Sequence, residues 1–197
     1  MLAETTQSTK NFSNKKYPIN TITTRKDGKQ YKKIAVGKWV LVSGNSNKEK
    51  KLAQQTPLIN DKHLNVSKRD AIKTGENYLK GLREKWNNTE MLCPELNNRR
   101  VTMNRESIAH LDYTKKGKRD GREIVERVKL LPYTEDIIKN GKCCDIRPNK
   151  KNSSLSDFSL IGRGMVNNKE TIIKVILSET KKGGNLRYVS IFKSGEI

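Results

Sequence analysis

The run Val101-Thr-Met-Asn-Arg-Glu-Ser-Ile-Ala-His110-Leu-Asp-Tyr113 holds one of the two histidines in a chain of 197 residues. Histidine is the side chain whose unperturbed pKa lets it take and give a proton near neutral pH. His110 stands in a chain with 41 lysines and arginines against 21 aspartates and glutamates, a formal charge of +20. A protonatable imidazole in so cationic a chain points to proton transfer on a polyanion, because basic chains attract phosphate polymers by counterion release and steering.

Metal-free cleavage of RNA needs a base for the 2′-hydroxyl, an acid for the departing 5′-oxygen, and cations or donors around the phosphorane. His110 is the acid/base candidate. Lys174 and Arg187 are candidates for offsetting charge, and Tyr188, Ser190 and Lys193 for donating to phosphate. Strand alternation puts Tyr188 and Ser190 on one face and Arg187 and Lys193 on the other, so Tyr188 with Ser190 is the more coherent set. Lys115, Lys116, Lys118 and Arg119, in a Gly/Lys-rich stretch, and Lys193 are the expected RNA contacts. His63, in Asp61-Lys-His-Leu, sits in loop-like sequence and is given no catalytic role.

The elements that must position these residues differ along the chain. Residues 1–17 are polar and aperiodic, and read as a flexible N-terminus. Ile19–Thr24 and Gln30–Val36 flank Asp27-Gly28, a hairpin signal, and Gly37–Val42 extends it into a small basic β meander. Residues 44–62 read as a connector. An amphipathic helix follows, with Ser67 and Asp70 at its start and Ile72, Leu79, Leu82 and Trp86 on one face; Gly75 and Gly81 each weaken it by about 1 kcal/mol.

Past Pro94, Val101–Met103 reads as a short strand, Asn104 as the cap of a helix over 105–113, Arg122–Leu131 as an amphipathic helix stopped by Pro132, and Thr134–Gly141 as a short helix capped by Thr134. Residues 142–157 have loop composition. Three β-prone runs close the chain: Phe158–Met165, Glu170–Leu177 and Leu186–Phe192, the last two joined across a Gly-Gly loop. The expected class is α+β, with short helices packed on a C-terminal antiparallel sheet and a small basic β meander and one amphipathic helix before it. The expected division is 1–17 flexible, 18–95 an extension, and 96–197 the domain carrying the chemistry.

Residues 1–100 carry 21 basic and 9 acidic side chains, and residues 101–197 carry 20 and 12, so both halves would feel a nucleic acid. Cys93 and the adjacent Cys143-Cys144 lack a repeated CxxC spacing, which argues against zinc and against a disulfide framework. No metal or cofactor is expected. The opening residues lack a signal peptide's apolar core and no run approaches a membrane span, so a cytoplasmic location, or delivery into a target cell without a cleaved signal, is expected.

The order of these parts resembles the phage-associated branch of the barnase, EndoU, colicin and RelE superfamily of nucleases. The resemblance rests on VTMN leading into a helix ending Ser-Ile-Ala-His-Leu, an amphipathic helix, Glu-Asp-Ile-Ile-Lys-Asn-Gly, and the pair ETIIKVILSET…LRYVSIFKS, about residues 96–194. It implies a helix bearing a histidine packed on a sheet whose last strand presents a hydroxyl, and a toxin-type endoribonuclease acting on tRNA or other cellular RNA. His110 matches the histidine, Ser190 the hydroxyl and Lys174 a strand position. Many such relatives carry a second histidine one turn on, where this chain reads Asp112-Tyr-Thr-Lys-Lys. An acidic antitoxin or immunity protein is the implied protein partner. A nucleic-acid-binding module without catalysis, or a mobile-element interaction protein, is the alternative.

Overall fold

The computed structural model describes residues 22–24, 30–35, 38–43, 47–114, 117–149, 152–181 and 184–197, with side chains from residue 48 onward other than 113–118. The Asp27-Gly28 turn, the N-terminal 1–17 and the side chains of Lys115, Lys116 and Lys118 lie outside the described residues. The chain divides into two compact units, 1–47 and 48–197. In the first, β1 (Ile22–Thr24), β2 (Gln30–Ala35) and β3 (Lys38–Ser43) form an antiparallel three-stranded sheet in sequence order, the expected meander. The division falls at Asn47, not after residue 95, because the amphipathic helix contributes its apolar face to the core of the second unit.

That second unit is α+β. Its helices are α1 (Asn47–Gln54), α2 (Ala71–Asn88), α3 (Arg105–Ala109), α4 (Gly121–Leu130) and α5 (Thr134–Asn140). Its strands are β4 (Leu58–Ile59), β5 (Met91–Cys93), β6 (Arg99–Thr102), β7 (Tyr113–Thr114), β8 (Gly117–Lys118), β9 (Lys142–Pro148), β10 (Ser156–Val166), β11 (Lys169–Glu179) and β12 (Leu186–Glu196). The main sheet runs β4-β10-β11-β12-β6-β5, with β9 also on β10. It is mixed: β10 to β12 pair antiparallel, as expected, and β9 joins β10 antiparallel, whereas β4 on β10 and β6 on β12 are parallel.

Two apolar layers sandwich this sheet. Leu79, Leu82 and Trp86 of α2, Ile124 and Val128 of α4, and Ile137 and Ile138 of α5 cover one face, meeting Leu160, Ile173, Val175, Leu177, Tyr188 and Ile191. On the other, Ala53 and Leu52 of α1 cover Cys144, Ile161 and Ile172. The β-branched run of β11 is therefore buried on both sides, as such a continuous apolar strand requires, and each such side chain contributes about 1.5–3 kcal/mol on burial. Asn167 and Asn168, at φ 52° and 59°, make the two-residue turn from β10 to β11; asparagine tolerates the positive φ that such a turn demands.

Four local expectations are corrected. The connector 44–62 contains α1, which brings the apolar Leu52 and Ala53 and the carboxylate of Glu49 to the sheet. Residues 142–148 are strand, held by pairing with β10 and by the Cys143 amide donating to Glu95 (3.0 Å). The histidine helix stops at Ala109, with His110 as its C-cap. Thr134 does not cap α5, because a 3-10 turn over Leu131–Tyr133 leads directly into it and Tyr133 occupies the cap position.

Candidate active site

Asn104 caps α3 as its sequence suggests: its side chain accepts from the Ser107 amide at 2.9 Å. The Ser107 hydroxyl donates to the Tyr188 carbonyl at 2.5 Å, which docks this five-residue helix on β12. His110 follows the last helical residue, half buried, and its carbonyl accepts from Arg119 Nε at 3.2 Å.

Arg119, Glu123 and Arg127 are spaced by four residues and line up along α4 and its N-terminal approach. Glu123 Oε1 receives Arg119 Nη1, and Arg127 Nη2 at 3.0 Å. Arg127 Nη1 in turn donates to the Ser190 hydroxyl and, at 3.1 Å, to the Ile191 carbonyl. The result is an unbroken polar chain from the His110 carbonyl through Arg119, Glu123 and Arg127 to Ser190. Two guanidiniums share one carboxylate, so the group carries a net positive charge. The arginine side chains are 9 % and 13 % exposed and Glu123 is 45 % exposed. Burial and then the neighbouring Arg119 press the Arg127 pKa below the usual arginine value, against the pull of Glu123. A void of about 10 Å³, room for one water, lies inward of Arg127 and Ser190.

The remaining expected residues are not brought to this cluster. Tyr188 is 2 % exposed, edge-to-face on Trp86 with ring centroids 6.4 Å apart, and desolvation raises its phenol pKa far above normal; its hydroxyl is not available to a phosphate. The expectation that Tyr188 and Ser190 share a face assumed simple alternation. The register slips between Ile176 and Leu177, whose partners are Ser190 and Tyr188, so Val189 is an extra residue in β12. Lys174 faces the other layer, beside α1: its Nζ lies 2.8 Å from Glu49, both side chains nearly buried, and Ser194 Oγ donates to the same carboxylate at 2.9 Å. A lysine so sealed does not offset charge on a substrate at Ser190. Arg187 pairs with Glu106 of α3, and Lys193, exposed, with Glu196 at 2.5 Å.

Sequence reasoning gave no role to Glu123 and Arg127 within the amphipathic helix over 122–131. Their signal was the Arg-x₃-Glu-x₃-Arg spacing beginning at Arg119. It also set His63 aside. His63 Nδ1 lies 2.6 Å from Asp61, and the Tyr133 hydroxyl lies 3.0 Å from the same oxygen. The hydrogen bond from His63 is the main cause that lowers the Asp61 pKa to about 2.

Cys93 and Cys144 are buried thiols whose pKa desolvation pushes up to about 11, the reverse of an activated nucleophile. Among the described residues, no group of three or more His, Cys, Asp or Glu side chains is placed to hold a metal ion, and no helix is long and apolar enough to cross a membrane. No protein-family model, no curated protein and no solved structure matches this chain.

Proposed function

We propose that the second unit is a metal-independent endoribonuclease acting at the Arg119–Glu123–Arg127 cluster. The observation that carries this reading is the sharing of the Glu123 carboxylate by two largely buried arginines, next to the hydroxyl of Ser190, with one of them, Arg119, bonded to the backbone carbonyl of His110. Two guanidiniums with one anion between them favour a second anion, and their planar forks suit phosphate oxygens. A phosphate that competes for the arginines frees the exposed Glu123 carboxylate as a base.

Glu123 takes the 2′-hydroxyl proton and the 2′-oxygen attacks phosphorus. Arg119, Arg127 and the Ser190 hydroxyl hold the phosphorane oxygens. The bond to the 5′-oxygen breaks, and that oxygen leaves with a proton from His110, giving a 2′,3′-cyclic phosphate and a 5′-hydroxyl. Glu123 fills the role for which the chain has no second histidine after His110. The placement of the histidine helix on β12 supports the nuclease resemblance, and an acidic antitoxin or immunity protein would compete for the same arginines.

One observation favours a second reading, binding of nucleic acid without cleavage: Arg127 also satisfies the Ile191 carbonyl, a structural task. Incubation with single-stranded RNA in EDTA separates the two. Cyclic-phosphate products that disappear with His110→Ala support the enzyme; salt-steep binding with intact RNA supports the binder.

A further inference from the structure

A second concavity lies where α3 meets β12, the strand that carries Ser190. It is an open groove of about 750 Å³ bounded by Asn104 and Glu106 of the α3 region, Arg187 of β12, Ser178 of β11, and Asn149 and Asn152. That volume is within the range of small-molecule sites. Its wall is built: Asn149 Nδ2 donates to Asp157 at 2.7 Å and to Ser178 Oγ at 2.8 Å, and its Oδ1 accepts from the Asn152 amide at 3.2 Å. The lining is rich in amides and hydroxyls, and its cations Lys181 and Arg187 are matched by Glu106 and Glu179. A neutral polar groove suits a neutral ligand with many donors and acceptors, and a nucleobase is such a ligand.

Its position fixes what that base belongs to. Glu106 and His110 are one helical turn apart, about 6 Å along α3. Arg187 and Ser190 lie opposite Ser178 and Ile176, two residues apart on β11, or about 7 Å. The Arg187–Glu106 ion pair bridges the two elements at the groove, as Ser107 and Tyr188 do beside it. Groove and cluster are thus neighbours, on the order of one step of an extended polynucleotide apart.

We infer that this groove takes the nucleobase adjacent to the phosphate held by Arg119 and Arg127, so that the ligand is an unpaired stretch of RNA. This rests on the reading of the cluster given above. A base can enter such a groove only when it is out of the helix stack, which excludes duplex RNA.

The test uses the full chain and a dodecauridine carrying one 4-thiouridine, with a duplex of equal length as comparison. Photocross-links in the unaltered protein fall on the peptides containing residues 104–106, 149–155 or 178–187. Arg187→Ala weakens binding of the unpaired oligonucleotide about tenfold but leaves binding of inorganic phosphate unchanged, whereas Arg127→Ala weakens both. Cross-links confined to other peptides, or duplex bound as tightly as the unpaired strand, overturn the assignment of the groove. If Arg187→Ala binds normally while Arg127→Ala does not, the groove fails and the cluster stands; if neither variant changes binding, both fail.

Discussion

Arg127 of α4 donates to the hydroxyl of Ser190 and to the carbonyl of the next residue, Ile191, at 3.1 Å. The contact lies where β12 lacks a second strand: β6 pairs with it only at Leu186 and Arg187. An unpaired edge carbonyl is costly when buried, and a guanidinium reaching across from a helix meets that need while keeping its charge beside a hydroxyl. One residue thereby joins the stability of the sheet edge to the electrostatics of the proposed site.

Arg127→Ala is expected to lower stability by about 1–3 kcal/mol, since it strips donors from the Glu123 carboxylate, the Ser190 hydroxyl and the carbonyl of the buried Ile191. Arg127→Lys recovers only part of this, because an ammonium cannot reproduce the fork. Ser190→Ala, which leaves the Ile191 bond intact, costs about 1 kcal/mol or less. Urea denaturation of the three variants measures the order.

Lys174 and Glu49 make the opposite kind of pair, sealed between α1 and the sheet. Lys174→Met alone strands a nearly buried carboxylate and is expected to cost about 3 kcal/mol, while Lys174→Met with Glu49→Leu recovers most of that loss. RNA cleavage by the double variant should match that of the unaltered protein. A large drop in turnover with unchanged folding would return Lys174 to the site.

Two glycines of α2 behave differently despite the same helical penalty. A Cβ on Gly75 would lie 2.4 Å from Leu111 Cδ2 and 2.7 Å from Val128 Cγ2, whereas one on Gly81 meets nothing within 4 Å. Gly81→Ala is therefore expected to stabilise by up to about 1 kcal/mol. Gly75→Ala should destabilise by about 1–3 kcal/mol through overpacking where α2 meets α4. Thermal melts of the pair read the difference in sign.

Asp61, held down to a pKa of about 2 chiefly by the His63 hydrogen bond, gives an acid-range signature. Its folded pKa lies below the ordinary 3.8, so its contribution is present above about pH 4 and lost as the pH falls toward 2. The side chain is open to water, and screening keeps the effect below about 1 kcal/mol. Asp61→Asn should flatten that part of the stability profile, measured by urea unfolding between pH 2 and 6. Desolvation raises the Tyr133 pKa to about 12, so its hydroxyl stays protonated throughout.

The parts visible in the sequence are those encoded locally. The β-branched run 170–177, the Asn104 cap and the apolar stripes of α2 and α4 all formed where their patterns lie. What was not visible depends on distant partners. In α1, NKEKKLAQ, only Leu52 and Ala53 are apolar, and the helix is placed by Glu49 meeting Lys174, 125 residues away. Residues 142–148 lack alternation and become strand only through β10. The extra residue at Val189 cannot be read from β12 by itself, yet it separates Tyr188 from Ser190. The Arg119, Glu123 and Arg127 stripe has the composition of a solvated helix face until β12 is laid against it.

The most direct measurement is cleavage of single-stranded RNA in EDTA, with the termini assayed for 2′,3′-cyclic phosphate. The unaltered protein should generate such termini, with rates falling by roughly 10²–10⁴ in His110→Ala and in Glu123→Gln under conditions where urea unfolding shows each variant still folded. No cyclic phosphate from the unaltered protein, or equal rates in all three, would contradict the assignment of this cluster as a nuclease site.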